Sequence, residues 1–156
     1  MRIGIIGPES SGKSTLARYL AKRYNGTYIQ EYAREYVEKK GSLEVSYDEL
    51  CEMARHQIEE MDAASHSFSE ILFFDTELIV TKVWFDYAFG QVPEWFNQAI
   101  KQYPMDVYLL TYPDLPWTQD GARYNGSDEM RMELFHRYEA EIQALDIPYY
   151  IIKHTD

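Results

Sequence analysis

The chain has 156 residues, with 15 Lys and Arg against 26 Asp and Glu and a formal net charge of −11. Its 46% hydrophobic and 26% charged residues fit one soluble globular domain, long enough to bury roughly two-thirds of its unfolded surface. No broad basic footprint is offered to nucleic acid or an anionic membrane, no apolar run reaches membrane-spanning length, and a lone Cys51 excludes a disulfide framework. The first strand begins almost at the N-terminus, which leaves no room for a signal or transit peptide, so the expectation is a cytoplasmic protein. Oligomeric state is not legible.

In chain order, an apolar run at 2–7 containing Ile3, Ile5 and Ile6 reads as a buried parallel strand, and a helix is predicted over 13–24. Between them, Gly7-Pro8-Glu9-Ser10-Ser11-Gly12-Lys13-Ser14-Thr15 is a complete phosphate-binding P-loop. Gly7 and Gly12 let backbone N–H groups turn onto phosphate oxygens. Lys13 adds a point charge for the β- and γ-phosphates, Ser14 a hydroxyl for Mg²⁺, and the helix start a partial positive charge. The implied ligand is a nucleoside triphosphate.

A second strand at 27–30 runs into Glu31, with Arg34 one helical turn further on within a predicted helix over 32–40. A carboxylate at a strand end suits ribose hydroxyls or the proton of an attacking hydroxyl; a solvated cap is the alternative. The helix predicted over 47–65 opens with Ser46 and Glu49 spaced as a capping box and carries Leu50, Met53, Ala54, Ile58 and Met61 at helical spacing. Cys51 falls among them as a small core residue. The third strand, 71–75, closes an apolar run on Asp75, the position where a carboxylate holds Mg²⁺ directly or through water; Asp75 can also serve as the N-cap of the next helix.

Helices are predicted over 77–89 and 94–102, a fourth strand over 106–111, a helix over 128–144 and a fifth strand over 148–153. Strands alternating with helices imply a mostly parallel sheet covered on both faces. Residues 112–127 break the pattern with prolines, glycines and Arg123, the composition of a lid or of a long ordered loop. Arg123 within it, and Arg131 just after it, would bring cations over a transferring phosphoryl group; Arg137 reads as a helix-surface charge. Phe85, Phe89 and Phe96 read as core, while Trp84, Tyr87 and Trp117 flank the expected acceptor pocket. The four histidines show no metal-ligand spacing.

Together these stretches resemble the ribosylnicotinamide kinase domain of NadR-type NAD-salvage proteins. The shared motifs are the P-loop at 7–15, Glu31-Tyr32-Ala33-Arg34-Glu35-Tyr36, Phe74-Asp75-Thr76-Glu77 with Trp84 and Tyr87 downstream, and Pro113-Asp114-Leu115-Pro116-Trp117 running into Asp120-Gly121 and Arg123. The resemblance implies an α/β P-loop kinase, a three-layer sandwich around a five-stranded parallel sheet in the order 2-3-1-4-5. It implies transfer of the ATP γ-phosphate to the 5′-hydroxyl of nicotinamide riboside. Lys13 and Ser14 would hold ATP·Mg²⁺, and Asp75 and Glu31 the metal and the sugar. Asp120 and Arg123 would belong to the lid, Trp84 and Tyr87 to the wall around the nicotinamide. Either carboxylate would serve as general base. The H-x-G-H adenylyltransferase signature of the bifunctional members is not found, so the expected product is the mononucleotide and not NAD. Another nucleoside or small-molecule kinase, or a nucleotide-dependent regulatory switch, are the competing readings.

Overall fold

The computed structural model describes residues 1–8, 11–30, 32, 36, 44–114 and 128–153. Five strands form one sheet: β1 (Arg2–Ile6), β2 (Thr27–Ile29), β3 (Leu72–Asp75), β4 (Val107–Thr111) and β5 (Tyr149–Ile152). Among the described residues, helices with full bounds lie between or beside them: α1 (Lys13–Arg23), α2 (Tyr47–Ser65), α3 (Leu78–Phe89), α4 (Glu94–Gln102) and α5 (Asp128–Leu145). The strand order is β2-β3-β1-β4-β5 with every pairing parallel, as the family resemblance implied. Element ends differ from the sequence reading by no more than one residue. Most of the helix predicted over 32–40, and the lid beyond Asp114, fall outside the described residues.

Alternation along the strands sorts their side chains onto two faces. Ile5 and Phe73 meet Ala17 and Ala21 of α1, with Leu109 beside them. Ile6, Phe74, Tyr108 and Leu110 point the other way, into the larger core under α2 to α5. Small alanines let α1 lie close to the sheet, whereas the opposite core is filled by rings: Phe85 packs against Phe96 at 5.6 Å and against Tyr47 at 5.6 Å. Phe85 and Phe96 are buried as expected and Phe89 is half-buried; Cys51 is a buried free thiol in the same core. Lys82 of α3 reaches Glu141 of α5 at 2.8 Å, tying the two helices at the rim.

Helix starts follow the chemistry of their caps. Ser46 and Glu49 close the reciprocal capping box at α2. At α3 the cap is Glu77, not Asp75: the Glu77 carboxylate accepts from the Ile79 N–H at 3.0 Å. Asp75 is thereby released from capping, because the chain turns once more before the helix begins.

Glu77 is almost wholly buried, and the Tyr108 hydroxyl donates to it. Desolvation dominates those bonds and raises its carboxyl from 4.5 to about 7. Between these values the native state keeps a proton that the unfolded chain has released, so stability falls as pH rises through the window. Urea denaturation should show a loss on the order of 2–3 kcal/mol between pH 4.5 and 7. Glu77→Gln, which keeps an acceptor for the cap but cannot ionise, should flatten that slope. Parallel curves for the two proteins would contradict the assignment.

Candidate active site

The parallel register brings the carboxyl ends of β1, β3 and β4 together. Ile5 pairs with Asp75 and Ile6 with Leu110, so Thr111 comes level with Gly7, where the chain leaves β1. Gly7 has φ +159° and Gly12 the left-handed φ +85°. A Cβ on Gly7 would collide with Thr111 Oγ1 and come within 2.8 Å of the Thr111 carbonyl oxygen. This close approach, more than the turn, is what requires glycine there.

Ser11 donates to the Pro8 carbonyl at 2.6 Å, and its oxygen also meets Thr111 Oγ1 at 2.5 Å. The loop is therefore stitched to itself and to the neighbouring strand by buried hydroxyls. Lys13, the first residue of α1, is buried and donates from Nζ to the Pro8 carbonyl at 3.1 Å. Its ammonium is folded across the mouth of the loop. Ser14 follows, half-buried, and Thr15 is exposed.

Asp75 ends β3 on the α1 face of the sheet, fully buried. Tyr28 of β2 lies on the same face and donates its hydroxyl to Oδ2 at 2.7 Å, while the Arg18 guanidinium of α1 sits 5.6 Å from the Tyr28 ring centroid. Oδ1 has no hydrogen-bond partner among the described residues. A buried carboxylate oxygen with no partner is costly, and a hard oxygen donor at this position suits a magnesium ion. Ser14, half-buried, carries a hydroxyl oxygen of the same hard-donor kind.

The aromatic residues divide. Trp84 is half-buried and packs against the larger core. Tyr87 lies at the exposed seam between α3 and α5, where its hydroxyl meets Met130 Sδ at 3.0 Å and the Arg137 guanidinium sits 5.2 Å from the ring centroid. Arg137 also reaches Asp86 at 3.3 Å and Glu133 at 3.5 Å, a surface ion pair as the sequence suggested. Arg131 is buried at 1% exposure, with Nη1 3.2 Å from Asp128, so it stands inside the first turn of α5 and not at its surface. Glu9, Ser10, Glu31, Arg34, Trp117, Asp120 and Arg123 lie outside the described residues. Among those described, no three His, Cys, Asp or Glu side chains form a metal-binding group, and no helix is long and apolar enough to cross a membrane.

Three contributors escaped the sequence reading: Tyr28, Thr76 and Thr111. The first and last close or sit within short apolar runs, and only the register reveals what their hydroxyls touch.

The sequence profile described as an AAA domain matches residues 2–156. The chain belongs to this family. Within it, the chain is 29% identical over 157 residues to the trifunctional NAD biosynthesis/regulator protein NadR of Escherichia coli (strain K12), which covers 99% of this chain and 38% of that protein. A solved structure of NadR protein in complex with NR is 30% identical with TM-score 0.78, covering 96% of this chain and 42% of the other. NadR protein in complex with NAD and AMP-PNP gives 27% identity and TM-score 0.75, over 99% of this chain and 44% of that one. This AAA-domain chain thus spans about two-fifths of the relatives it matches. Deoxyadenosine kinase from M. mycoides, 20% identical with TM-score 0.63, shares the fold. The likeness to NadR-type proteins and the P-loop kinase architecture read from the motifs both hold.

Tyr28 supplies the one described hydrogen bond to the Asp75 carboxylate. Tyr28→Phe should lower stability by about 1–3 kcal/mol in chemical denaturation, the cost of stranding a buried acceptor. An unchanged midpoint would show that Oδ2 finds another donor.

Proposed function

We propose that the protein is an ATP-dependent kinase of the 5′-hydroxyl of nicotinamide riboside, yielding nicotinamide mononucleotide and ADP in NAD salvage in the cytoplasm. The observation that carries this reading is the pairing of a P-loop with a buried, oriented Asp75 at the adjacent strand end, in a chain 30% identical to a NadR structure with NR bound. The reading treats residues 1–156 as one kinase domain, with a lid at about 112–127.

The chemistry follows from what the residues offer. Backbone N–H groups of the P-loop and the start of α1 receive the β- and γ-phosphates, and the Lys13 ammonium exchanges its bond to the Pro8 carbonyl for a phosphate oxygen. Bound Mg²⁺ would neutralise charge on the transferring group, and Ser14 with Asp75 Oδ1 would hold it. Transfer forms the bond from the 5′-oxygen to Pγ and breaks the bond from Pγ to the β-bridging oxygen. The hydroxyl proton leaves to a carboxylate, Glu31 or Asp75. A loose transition state asks little activation of the nucleophile, so positioning is the larger part of the work.

In this reading Glu31 and Arg34 contact the ribose, and Trp84, Tyr87, Trp117 and Asp120 line the acceptor side. Arg123 and Arg131 stabilise the phosphoryl group under the closed lid. Glu9, Ser10, Ser11 and Thr15 belong to the nucleotide cradle, with Gly7 and Gly12 giving it room.

The test is a panel of nucleosides including nicotinamide riboside, incubated with ATP·Mg²⁺ and followed by ADP release and product mass. Nicotinamide riboside should be phosphorylated well above the others, and Lys13→Ala should lower kcat/KM by about 10²–10³-fold. Turnover confined to another acceptor would overturn the substrate and leave the kinase standing.

A further inference from the structure

Thr76 joins β3 to the cap of α3 in a backbone conformation that disfavours it. Its φ is +69°, in the left-handed region, where a β-branched residue is an outlier. The conformation is held by its own N–H, which donates to the Ile5 carbonyl at 2.9 Å and extends the β1–β3 ladder past Asp75, and by Glu77, which caps the helix immediately after. Glycine or asparagine would make the same turn at less cost. The side chain adds a second expense, since Thr76 Oγ1 is buried with no hydrogen-bond partner among the described residues.

The adjoining residue repeats the pattern. Asp75 Oδ1 is likewise buried and unpartnered, while its Oδ2 is fixed by Tyr28. Two consecutive residues at the carboxyl end of β3, beside the strand that feeds the P-loop, each hold an oxygen withheld from water and from protein. Strain and unmet hydrogen-bonding capacity at one place are the marks of a site shaped for a ligand.

We propose that the Thr76 hydroxyl is a binding group of the donor site, completing with Asp75 Oδ1 an oxygen pair for the hydrated divalent cation that accompanies the bound triphosphate. This rests on the donor half of the proposed function and is independent of the acceptor. A hydroxyl can accept from or donate to metal-bound water, and a neutral group adds reach beyond the carboxylate without adding charge. Both oxygens are closed off from solvent.

Thr76→Val keeps the branched shape and the backbone strain and removes only the hydroxyl. Without ligand, the variant should melt about 2–4 °C higher, because an unmet buried group has been deleted. Calorimetric titration with a non-hydrolysable ATP analogue, with and without Mg²⁺, separates the two roles. The Mg²⁺-dependent gain in affinity should fall about fivefold in Thr76→Val, with Mg²⁺-free affinity unchanged, and Thr76→Ser should restore the gain. A gain that survives Thr76→Val intact would overturn the inference. A wild-type protein with no such gain would overturn it together with the donor reading, and turnover of nicotinamide riboside tests the acceptor separately.

Discussion

Strand β1 is hydrogen-bonded along both edges, to β3 on one side and β4 on the other. Everything at the site inherits its position from that double pairing. The chain leaves β1 at Gly7, in contact with Thr111 of β4, while the Thr76 N–H from β3 closes on the Ile5 carbonyl. Gly7, the Asp75 carboxylate and the Thr111 hydroxyl therefore stand on one ledge. A loop of the same composition after an edge strand would have only one wall, and its backbone donors would not be held in advance of a ligand.

The ledge is built from polar residues in a place where apolar ones would be more stable. Asp75, Thr76 and Glu77 are consecutive and all buried, yet each meets a different fate. Glu77 is satisfied by the α3 backbone and by Tyr108, and its burial is relieved by a raised pKa. Asp75 is satisfied on one oxygen only, and Thr76 on none among the described residues. Each unmet buried group destabilises the native state, so a turn with no ligand to meet would favour apolar residues here.

The fold was legible because its determinants are local or periodic. The P-loop fixes a strand before it and a helix after it, the capping box at Ser46 and Glu49 starts α2, and the run Phe73-Phe74-Asp75 ends a strand on a carboxylate. What stayed hidden depends on register. Nothing in Thr27-Tyr28-Ile29 announces that the tyrosine hydroxyl will reach Asp75, 47 residues on. The Ser11 and Thr111 hydroxyls meet across 100 residues for the same reason. Of the two readings of Asp75, metal carboxylate or helix cap, the cap reading falls because Glu77 takes the cap. Trp84 and Tyr87 stand three residues apart on one helix, yet they meet different surroundings, a core margin and an exposed seam.

For a chain of net charge −11, the proposed triphosphate must be met locally, since screening confines each charge to about 8 Å at physiological salt. The helix starts show how. Each of α2 to α5 carries carboxylates of its own against the positive end of its dipole: Asp48 and Glu49, Glu77, Glu94, and Asp128 with Glu129. Among the described helices α1 alone has no acidic residue in its first turn and no side-chain cap. Its partial positive charge is uncompensated, and the buried Lys13 ammonium is added at the same end. The acidic surface and the bare helix start are therefore compatible, because the carboxylates at helix starts sit on the other helices. Among the described helices, the one start left without a carboxylate is the one that follows the P-loop.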